Sequence, residues 1–401
     1  MSDLKILMIG PGDPSQTNSG LGKAAEQIST QLAKKTQLIL IQPESVLDQN
    51  TTEEKKTKKA ISISDFSDFK VISDMVRIEV SNNISPYWYD STPTSSVKEL
   101  DRKSEVEEKL QTFTEEIIEE SSESKFDVIY AHDWITFKAA LELKSSSKKP
   151  LVLHVHSLDY DRSSMHTGSW VFRLEQEAFE KADQIICVSK YTKKIIEEVY
   201  EIESSKITVV YNGYAETVYP EAISPFHEKI VLFVGRLTGQ KGPTQFLAIA
   251  EEVHEKYPQS RFIMAGDGEM YKTLIEAGAH SSVASKFHVT GHLNEKDLNK
   301  LYAMSDVFCM PSVSEPFGLT ALEAAGANLP IVISNNTGAA EVLSGARTSD
   351  FHDTGGFARE IVSLLKNDKL KTESVKRNTK SLNLLSWNQS VTQILDVLQK
   401  A

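Results

Sequence analysis

The sequence predicts an α/β protein of two domains, each built on a parallel sheet. Short apolar runs with strand character alternate with stretches of helical periodicity along most of the chain. With 401 residues, the chain is long enough for two domains of ordinary size. A proline-marked segment, Tyr219 to Pro225, suits a hinge. We therefore expect a first domain over residues 1–218 and a second over 219–381.

Composition narrows the function to small-molecule chemistry. The formal net charge of -12 argues against an extended nucleic-acid surface, although a local basic patch would still allow peripheral membrane contact. The apolar block Ile6–Ile9 is too short for a signal peptide or a transmembrane segment, so we expect a cytoplasmic protein. Cys187 and Cys309 lie in apolar runs and are expected to be buried thiols.

The first predicted strand, Lys5–Ile9, leads through a glycine-rich stretch into a helix. Ser15 stands where a dinucleotide-binding G-x-G-x-x-G needs its third glycine, which argues against a nicotinamide cofactor. We expect a loop at Gly20 to Gly22. From the residues alone, this loop is either a ligand-approaching backbone or a plain tight turn.

The segment between the second strand and the first histidines is less informative. Gln37–Ile41 reads as a strand, and the Lys/Glu-rich run 51–59 as an exposed loop. Residues 98–125 have the periodicity of an amphipathic surface helix. The aromatic run 86–89 either lines an acceptor groove or packs in a core.

Polar residues follow two further predicted strands, 128–130 and 151–155. They are His132, Asp133 and His156. Because ligands bind at the carboxyl edge of open α/β sheets, these side chains are site candidates. Asp159-Tyr160-Asp161 imitates a metal-binding D-x-D, but no further ligands are evident and we expect no metal there.

The alternation continues through the second domain, whose first strand is 230–234. Arg236 and Lys241 follow it in a glycine-rich loop and suit a diphosphate, because Arg can donate two parallel hydrogen bonds while Lys acts as a point charge. Gly266 follows the next strand at the same edge. A strand is hard to find around residues 345–356, and that region is expected to be shortened.

The apolar run 307–310 reads as a strand, and Ser312 to Gly326 after it reads as a loop and a helix, with Glu315 and Glu323 eight positions apart. Gly318 allows close approach of a ligand, and the amides of residues 317–320 should point from the helix start and attract oxygen-rich anions. The two carboxylates suit the hydroxyls of a sugar and a ribose. The site fits a nucleotide sugar, although acidic residues also collect at helix N-termini without a ligand.

The stretch E-P-F-G-L-T-A-L-E at 315–323 resembles the E-x7-E signature of retaining glycosyltransferases of family 4, which have the GT-B fold. G-R-L-T-G-Q-K-G at 235–242 and G-A-A-E at 338–341 are also similar to that family's motifs. H-D-W at 132–134 and H-S-L-D-Y-D-R at 156–162 resemble segments of its glycogen-synthase-like members. The resemblance spans nearly the whole chain and is weakest over 44–125 and 344–356.

The resemblance implies two Rossmann-like, doubly wound domains that face a central cleft, with a C-terminal helix (382–401) crossing back onto the first domain. It implies transfer of a hexose from a nucleotide-diphosphate sugar to a hydroxyl of a glycan or other acceptor, with retention and without metal or other cofactor. The catalytic residues would be His156, Arg236, Lys241 and Glu315. The donor-binding residues would be Gly20, Gly22, Gly235, Arg236, Lys241, Gly266, Phe317, Gly318, Leu319, Thr320 and Glu323.

Two other functions stay open at this point. One is a catalytically silent regulatory protein that binds the nucleotide sugar without turnover. The other is a glycogen phosphorylase-like enzyme, which needs pyridoxal phosphate on a lysine and is usually far longer, so the chain length disfavours it. The sequence leaves open the donor base, the acceptor and the oligomeric state.

Overall fold

The computed structural model describes residues 4–10, 20–43, 75–80, 96–163 and 165–401, with the backbone alone at 79 and 96–102. The predictions for the polar run 51–59 and the aromatic run 86–89 lie outside the described residues.

The first sheet has seven parallel strands in the order β3-β2-β1-β4-β5-β6-β7. The strands are β1 (Lys5–Ile9), β2 (Gln37–Pro43), β3 (Met75–Val80), β4 (Val128–His132), β5 (Leu151–Val155), β6 (Gln184–Cys187) and β7 (Ile207–Val209). Its central strands are buried on both faces. In β1, Leu7 and Ile9 belong to one apolar core, while Ile6 and Met8 belong to the core on the opposite face.

Helices cover both faces of this sheet. They are α1 (Gly20–Ala33), α2 (Ser96–Ser121), α3 (Trp134–Ser147), α4 (Asp159–Arg162), α5 (Trp170–Lys181) and α6 (Lys190–Glu198). The amphipathic helix predicted over 98–125 is confirmed as α2, whose apolar stripe is buried.

The prediction of a loop at Gly20 to Gly22 is wrong, because helix α1 begins at Gly20. Leu21, Ala24 and Ile28 are buried one turn after another, so the packed stripe extends into the first turn. Tertiary packing therefore overrides the turn preference of the two glycines.

The second sheet has six parallel strands in the order β10-β9-β8-β11-β12-β13. The strands are β8 (Lys229–Val234), β9 (Ser260–Ala265), β10 (Phe287–Gly291), β11 (Val307–Met310), β12 (Ile331–Ser334) and β13 (Arg347–Ser349). The helices around it are α7 (Pro243–Lys256), α8 (Tyr271–His280), α9 (Glu295–Ala303), α10 (Leu319–Gly326), α11 (Thr354–Lys366) and α12 (Asp368–Leu382). Two apolar cores lie on its two faces.

A final helix, α13 (Trp387–Lys400), packs against the first sheet. Trp387, Val391 and Ile394 are buried in the same core as Ile6 and Met8 of β1. Helix α13 also contacts α1. The chain therefore returns to the first sheet after completing the second.

Two strands differ from expectation, and both lie at sheet edges. Sequence inspection missed β3, which pairs with β2, and found no strand near 345–356, where β13 has three residues. β3 alternates apolar with charged residues and β13 has only three residues, so neither forms the continuous apolar run by which the buried strands are recognised.

Both sheets have a topological switch point, between β1 and β4 in the first and between β8 and β11 in the second. In parallel α/β sheets a crevice forms beyond the carboxyl ends of such strands, so each sheet offers a ligand site there. Among the helices of the described segments, none is both long and apolar enough to span a lipid bilayer.

Candidate active site

A cleft lies between the two sheets, and two adjoining cavities of about 530 and 550 Å³ mark it. Both are in the size range of small-molecule sites. The two cavities share lining residues from α1, from the loop after β8 and from the start of α10. The shared predicted residues are Gly20, Gly235, Arg236, Leu319 and Thr320.

The start of helix α10 forms one wall of the cleft. The predicted strand, loop and helix are confirmed as β11, residues 311–318 and α10. Gly318 has φ 99°, a left-handed conformation, and a Cβ there would lie 2.9 Å from Cε of Met310. The loop thus needs glycine where it turns into the helix, whose first-turn amides have no preceding helical carbonyl to bond.

Glu315 and Lys241 form an ion pair in this wall. Nζ of Lys241 lies 2.5 Å from Oε2 of Glu315, and the two side chains are only 18% and 9% exposed. The Glu315 amide donates to the carbonyl of Asn336 at 2.8 Å, which fixes its backbone. Lys241, which is predicted to bind the diphosphate, and Glu315, which is predicted to bind the donor sugar, therefore neutralise each other's charge.

Glu323 forms a second ion pair, and its partner comes from the other domain. Nζ of Lys23, on α1, lies 2.6 Å from Oε1 of Glu323. The buried Tyr302 hydroxyl donates to Oε2 at 3.1 Å. Lys23 was not among the predicted site residues, and its one signal in the sequence is its position directly after Gly22.

The loops after β8 and β9 touch through their backbones. Gly266 has φ 151°, and a Cβ there would lie 1.8 Å from the carbonyl oxygen of Gly235. Only glycine permits this approach. The contact brings Arg236 and Gly266 to the same cavity, together with His292, which sequence analysis did not select.

The opposite wall is formed by the ends of β4 and β5. His156 is 9% exposed and lines the cleft beside Ser157 and Arg162. The His156 amide donates to Oδ1 of Asp133 at 2.7 Å, which ties the two strand ends together. Burial raises the pKa of Asp133 to about 6, with Arg162 acting in the opposite direction.

Three histidines lie together behind this wall: His132, His154 and His156. Nδ1 of His132 is 3.0 Å from Nε2 of His156, and the Tyr130 hydroxyl is 2.6 Å from Nδ1 of His154. Burial lowers the pKa of His156 to about 3 and the pKa values of His132 and His154 well below the usual value. All three rings are therefore neutral at pH 7. His154 was not a candidate in the sequence, because it stands inside an apolar strand.

Family comparisons agree with this geometry. The sequence model described as "Glycosyltransferase Family 4" matches residues 104–216, and the one described as "Glycosyl transferases group 1" matches residues 221–381. The chain belongs to glycosyltransferase family 4. It is 30% identical over 251 residues to a glycogen synthase of Mycobacterium tuberculosis, an alignment that covers 60% of this chain and 60% of that protein.

Solved structures confirm the GT-B fold of this family-4 chain. A sucrose-phosphate synthase from Thermosynechococcus elongatus superposes with a TM-score of 0.76 at 17% identity and covers 99% of this chain and 98% of its own. HepE of Anabaena, solved in complex with UDP-glucose, superposes with a TM-score of 0.72 at 16% identity and covers 99% and 100%.

The D-Y-D segment of this family-4 chain is held by protein groups. The Ser169 hydroxyl donates to Asp159 at 2.6 Å. Asp161 accepts hydrogen bonds from the Leu158 amide and from the Ser314 hydroxyl, which comes from the other domain. Burial raises the pKa of Asp161 to about 6. The expectation that this segment binds no metal stays a prediction.

A second contact between the domains involves Glu341 of the G-A-A-E motif. Its carboxylate accepts hydrogen bonds from the amides of Lys190 and Tyr191, at the start of α6, and from the Tyr211 hydroxyl. A carboxylate of one domain thus caps a helix of the other. The motif therefore contributes to the joint between the domains, away from both cavities of the cleft.

The structure brings nearly all of the predicted site residues into one cleft. The predicted residues that line it are His156, Arg236, Lys241, Glu315, Gly20, Gly235, Gly266, Phe317, Gly318, Leu319, Thr320 and Glu323. Gly22 lies in the first turn of α1 and lines neither cavity. The roles assigned to these residues stay predictions.

Proposed function

We propose that this chain transfers a hexose from a nucleotide-diphosphate sugar to a hydroxyl of a glycan or another acceptor, with retention at the anomeric carbon. The observation that carries the proposal is the α10 wall, where the start of the helix lies between Glu315 and Glu323 and lines the same cavity as His156. This order of groups matches a diphosphate flanked by a sugar and a ribose.

The donor is proposed to bind by exchange of ion pairs. Its diphosphate would draw Lys241 away from Glu315, and its ribose hydroxyls would take the place of Lys23 at Glu323. Arg236 would grip the diphosphate through parallel hydrogen bonds. Since HepE was solved with UDP-glucose, that compound is the first donor to test.

In the proposed reaction, the protein mainly stabilises the charge that develops on the leaving diphosphate. Arg236, Lys241 and the α10 amides would supply that stabilisation without a metal ion. His156 would contact the donor sugar as a neutral ring, able to donate from one nitrogen and accept at the other. The departing phosphate would help deprotonate the acceptor hydroxyl on the same face of the sugar.

A donor screen followed by a transfer assay tests the proposal. We expect one nucleotide sugar to raise the melting temperature, because a ligand of the native state stabilises it. With that donor and a panel of hydroxyl acceptors, we expect release of the nucleoside diphosphate and a product of unchanged anomeric configuration. Donor binding with no release across the panel would favour the catalytically silent alternative.

Chelator separates the metal-free mechanism from a metal-dependent one. We expect full transfer in excess EDTA. Loss of transfer in EDTA, restored by Mn²⁺ or Mg²⁺, would contradict that part of the proposal.

A further inference from the structure

Two polar groups of the first domain bond to the residue directly before Glu315. That residue is Ser314, which is fully buried, and its hydroxyl donates to Oδ1 of Asp161 in α4. The Tyr191 hydroxyl, from the start of α6, lies 2.8 Å from the same Ser314 hydroxyl. The segment that carries the predicted sugar-binding carboxylate is thus bonded to the opposite domain through a side chain that cannot itself reach a ligand.

The protonation states fix the direction of these hydrogen bonds. Burial raises the pKa of Asp161 to about 6, so its carboxylate is mostly ionised at pH 7 and can only accept. Burial raises the pKa of Tyr191 to about 12, so the phenol keeps its proton. The chain therefore runs from the Tyr191 hydroxyl to the Ser314 hydroxyl and on to Asp161. Because a hydrogen bond to an ionised acceptor is stronger than a neutral one, Asp161 is the main anchor of this chain.

The other side of Glu315 is also bonded to the first domain. The carbonyl of Pro316 accepts a hydrogen bond at 3.4 Å from the hydroxyl of Thr192, in α6. Within its own domain, Glu315 is held through its backbone: its amide donates to the carbonyl of Asn336 at 2.8 Å, and its carbonyl accepts from the amide of Gly338 at 3.0 Å. Both domains therefore determine where this carboxylate lies.

From these contacts we propose that Asp161 is a positioning residue for sugar transfer, which acts through Ser314 to hold Glu315 against the donor sugar. This inference rests on the proposed function, in which Glu315 binds that sugar. Asp161 belongs to the domain expected to hold the acceptor, whereas Glu315 belongs to the domain expected to hold the donor. The contact would therefore place the donor-sugar carboxylate correctly only when the two domains lie as they do here.

Asp159 shows what separates this contact from an ordinary buried one. Asp159 and Asp161 lie in the same short helix and are 2% and 1% exposed. The carboxylate of Asp159 accepts a hydrogen bond from Ser169, which belongs to the first domain, whereas that of Asp161 accepts from Ser314 of the second. The same substitution at Asp159 is therefore a matched control for one at Asp161.

Loss of the contact should affect the sugar more than the diphosphate. Without Asp161, the buried Ser314 hydroxyl loses its ionised partner, and the segment 311–318 can shift. A shift of about 1 Å at a catalytic contact can reduce the rate on the order of a hundredfold. Arg236, which would grip the diphosphate, belongs to a different loop, after β8.

The first test needs no ligand. Amide hydrogen exchange of the full-length protein reports local opening of the segment 311–318. We expect Asp161→Asn and Ser314→Ala to raise exchange there about tenfold, because a hydrogen bond to a charged group is weakened or lost. Asp159→Asn should leave exchange in this segment unchanged. If Asp161→Asn fails to fold, Tyr191→Phe, which removes one hydroxyl from the same chain, provides the comparison with Ser314→Ala.

The second test compares UDP-glucose with UDP by calorimetry, since only the first compound carries a sugar. Asp161→Asn and Ser314→Ala should weaken binding of UDP-glucose about tenfold and change binding of UDP less than about threefold. With a hydroxyl acceptor, both variants should also lower kcat at least about tenfold. Asp159→Asn should bind both compounds and turn over as the unaltered protein does.

Unchanged exchange at 311–318 in Asp161→Asn and Ser314→Ala would overturn the positioning role, and an equal effect of Asp159→Asn would overturn it as well. Raised exchange with an unchanged ratio of the two affinities and unchanged kcat would overturn its effect on the sugar. An unaltered protein that binds UDP-glucose but transfers no sugar would contradict only the proposed function. If the unaltered protein binds neither compound, UDP-glucose is the wrong donor and the exchange result decides the positioning role.

Discussion

The two walls of the cleft hold their polar groups in different ways. In the wall at the ends of β4 and β5, the histidine rings are buried and neutral, and His132 and His156 are hydrogen-bonded to each other. The buried carboxylate of Asp133 accepts a hydrogen bond from the His156 amide and so fixes the backbone there. The α10 wall carries its charges as ion pairs, Lys241 with Glu315 and Lys23 with Glu323. One wall therefore holds neutral groups, whereas the other holds charges in ion pairs that the proposed donor would exchange.

This difference predicts where substitutions reduce turnover most. Arg236→Ala and Lys241→Ala should each lower kcat about a hundredfold, roughly 3 kcal/mol, because the charge they are proposed to stabilise develops only as the diphosphate leaves. The Michaelis constant should change less. Steady-state kinetics with the donor found by screening would measure both.

A control is needed for Lys241, because its removal also leaves the buried Glu315 without its cation. Glu315→Gln should lower both turnover and donor affinity. In the double variant Lys241→Ala/Glu315→Gln, the unpaired charge is absent, and a loss of turnover beyond that of Glu315→Gln alone is the loss of the leaving-group contact. If Arg236→Ala and Lys241→Ala changed only the Michaelis constant, both would be binding residues and the mechanism would be wrong.

A smaller effect is expected at Glu323, whose proposed ligand does not react. Glu323→Gln should weaken donor binding about tenfold, roughly 1.4 kcal/mol, and leave kcat nearly unchanged. Lys23→Met is the matched variant, since it removes the same ion pair from the other side. If Lys23 only competes with the donor ribose for Glu323, the Lys23→Met variant should bind the donor at least as tightly as the unaltered protein.

Calorimetry with donor would measure both affinities. A large fall in kcat for Glu323→Gln would mean that Glu323 acts in the transition state. Weaker donor binding by Lys23→Met would mean that Lys23 contacts the donor itself. Helix α1 would then belong to the donor-binding wall together with α10.

The smallest effect concerns stability and tests whether the histidine wall is neutral. The folded-state pKa of His154 lies well below 6.5, so below pH 6.5 the unfolded chain binds a proton that the folded chain does not. The contribution of His154 to stability is thus lost as pH falls. The difference in free energy of unfolding between the unaltered protein and His154→Gln should shift by about 1 kcal/mol against the unaltered protein from pH 6.5 to 5.5.

Urea unfolding at several pH values would measure this shift. Asp133 and Asp161, whose raised pKa values act in the opposite direction, are present in both proteins and cancel in the difference. A difference that did not change with pH would show that His154 keeps an ordinary pKa.

Much of the fold and site follows from sequence because the signals are local. Buried parallel strands read as continuous apolar runs, and the polar residues after them mark the ligand edge. That rule placed His156, Arg236 and Glu315 in one cleft. Gly318 and Gly266 were correctly predicted to lie at the ligand edge. Each has a positive φ and too little space for a Cβ, so only glycine fits there.

The rest depends on contacts between distant segments. Lys23 contacts Glu323, which lies 300 positions away in the sequence, and no local pattern in α1 predicts that contact. His154 becomes noticeable only when β4 and β5 pair and place His132 beside it. Gly20 looked like a turn because helix α1 is held by Ala24 and Ile28, whose packing partners are remote in the chain.

The packing of α13 on β1 also constrains how the protein is made. One face of the first sheet, with Ile6 and Met8, is completed by Trp387, Val391 and Ile394 from near the other end of the chain. During synthesis on the ribosome, that face stays partly uncovered until α13 has emerged. Exposed apolar surface of this kind promotes aggregation until the missing segment packs on it.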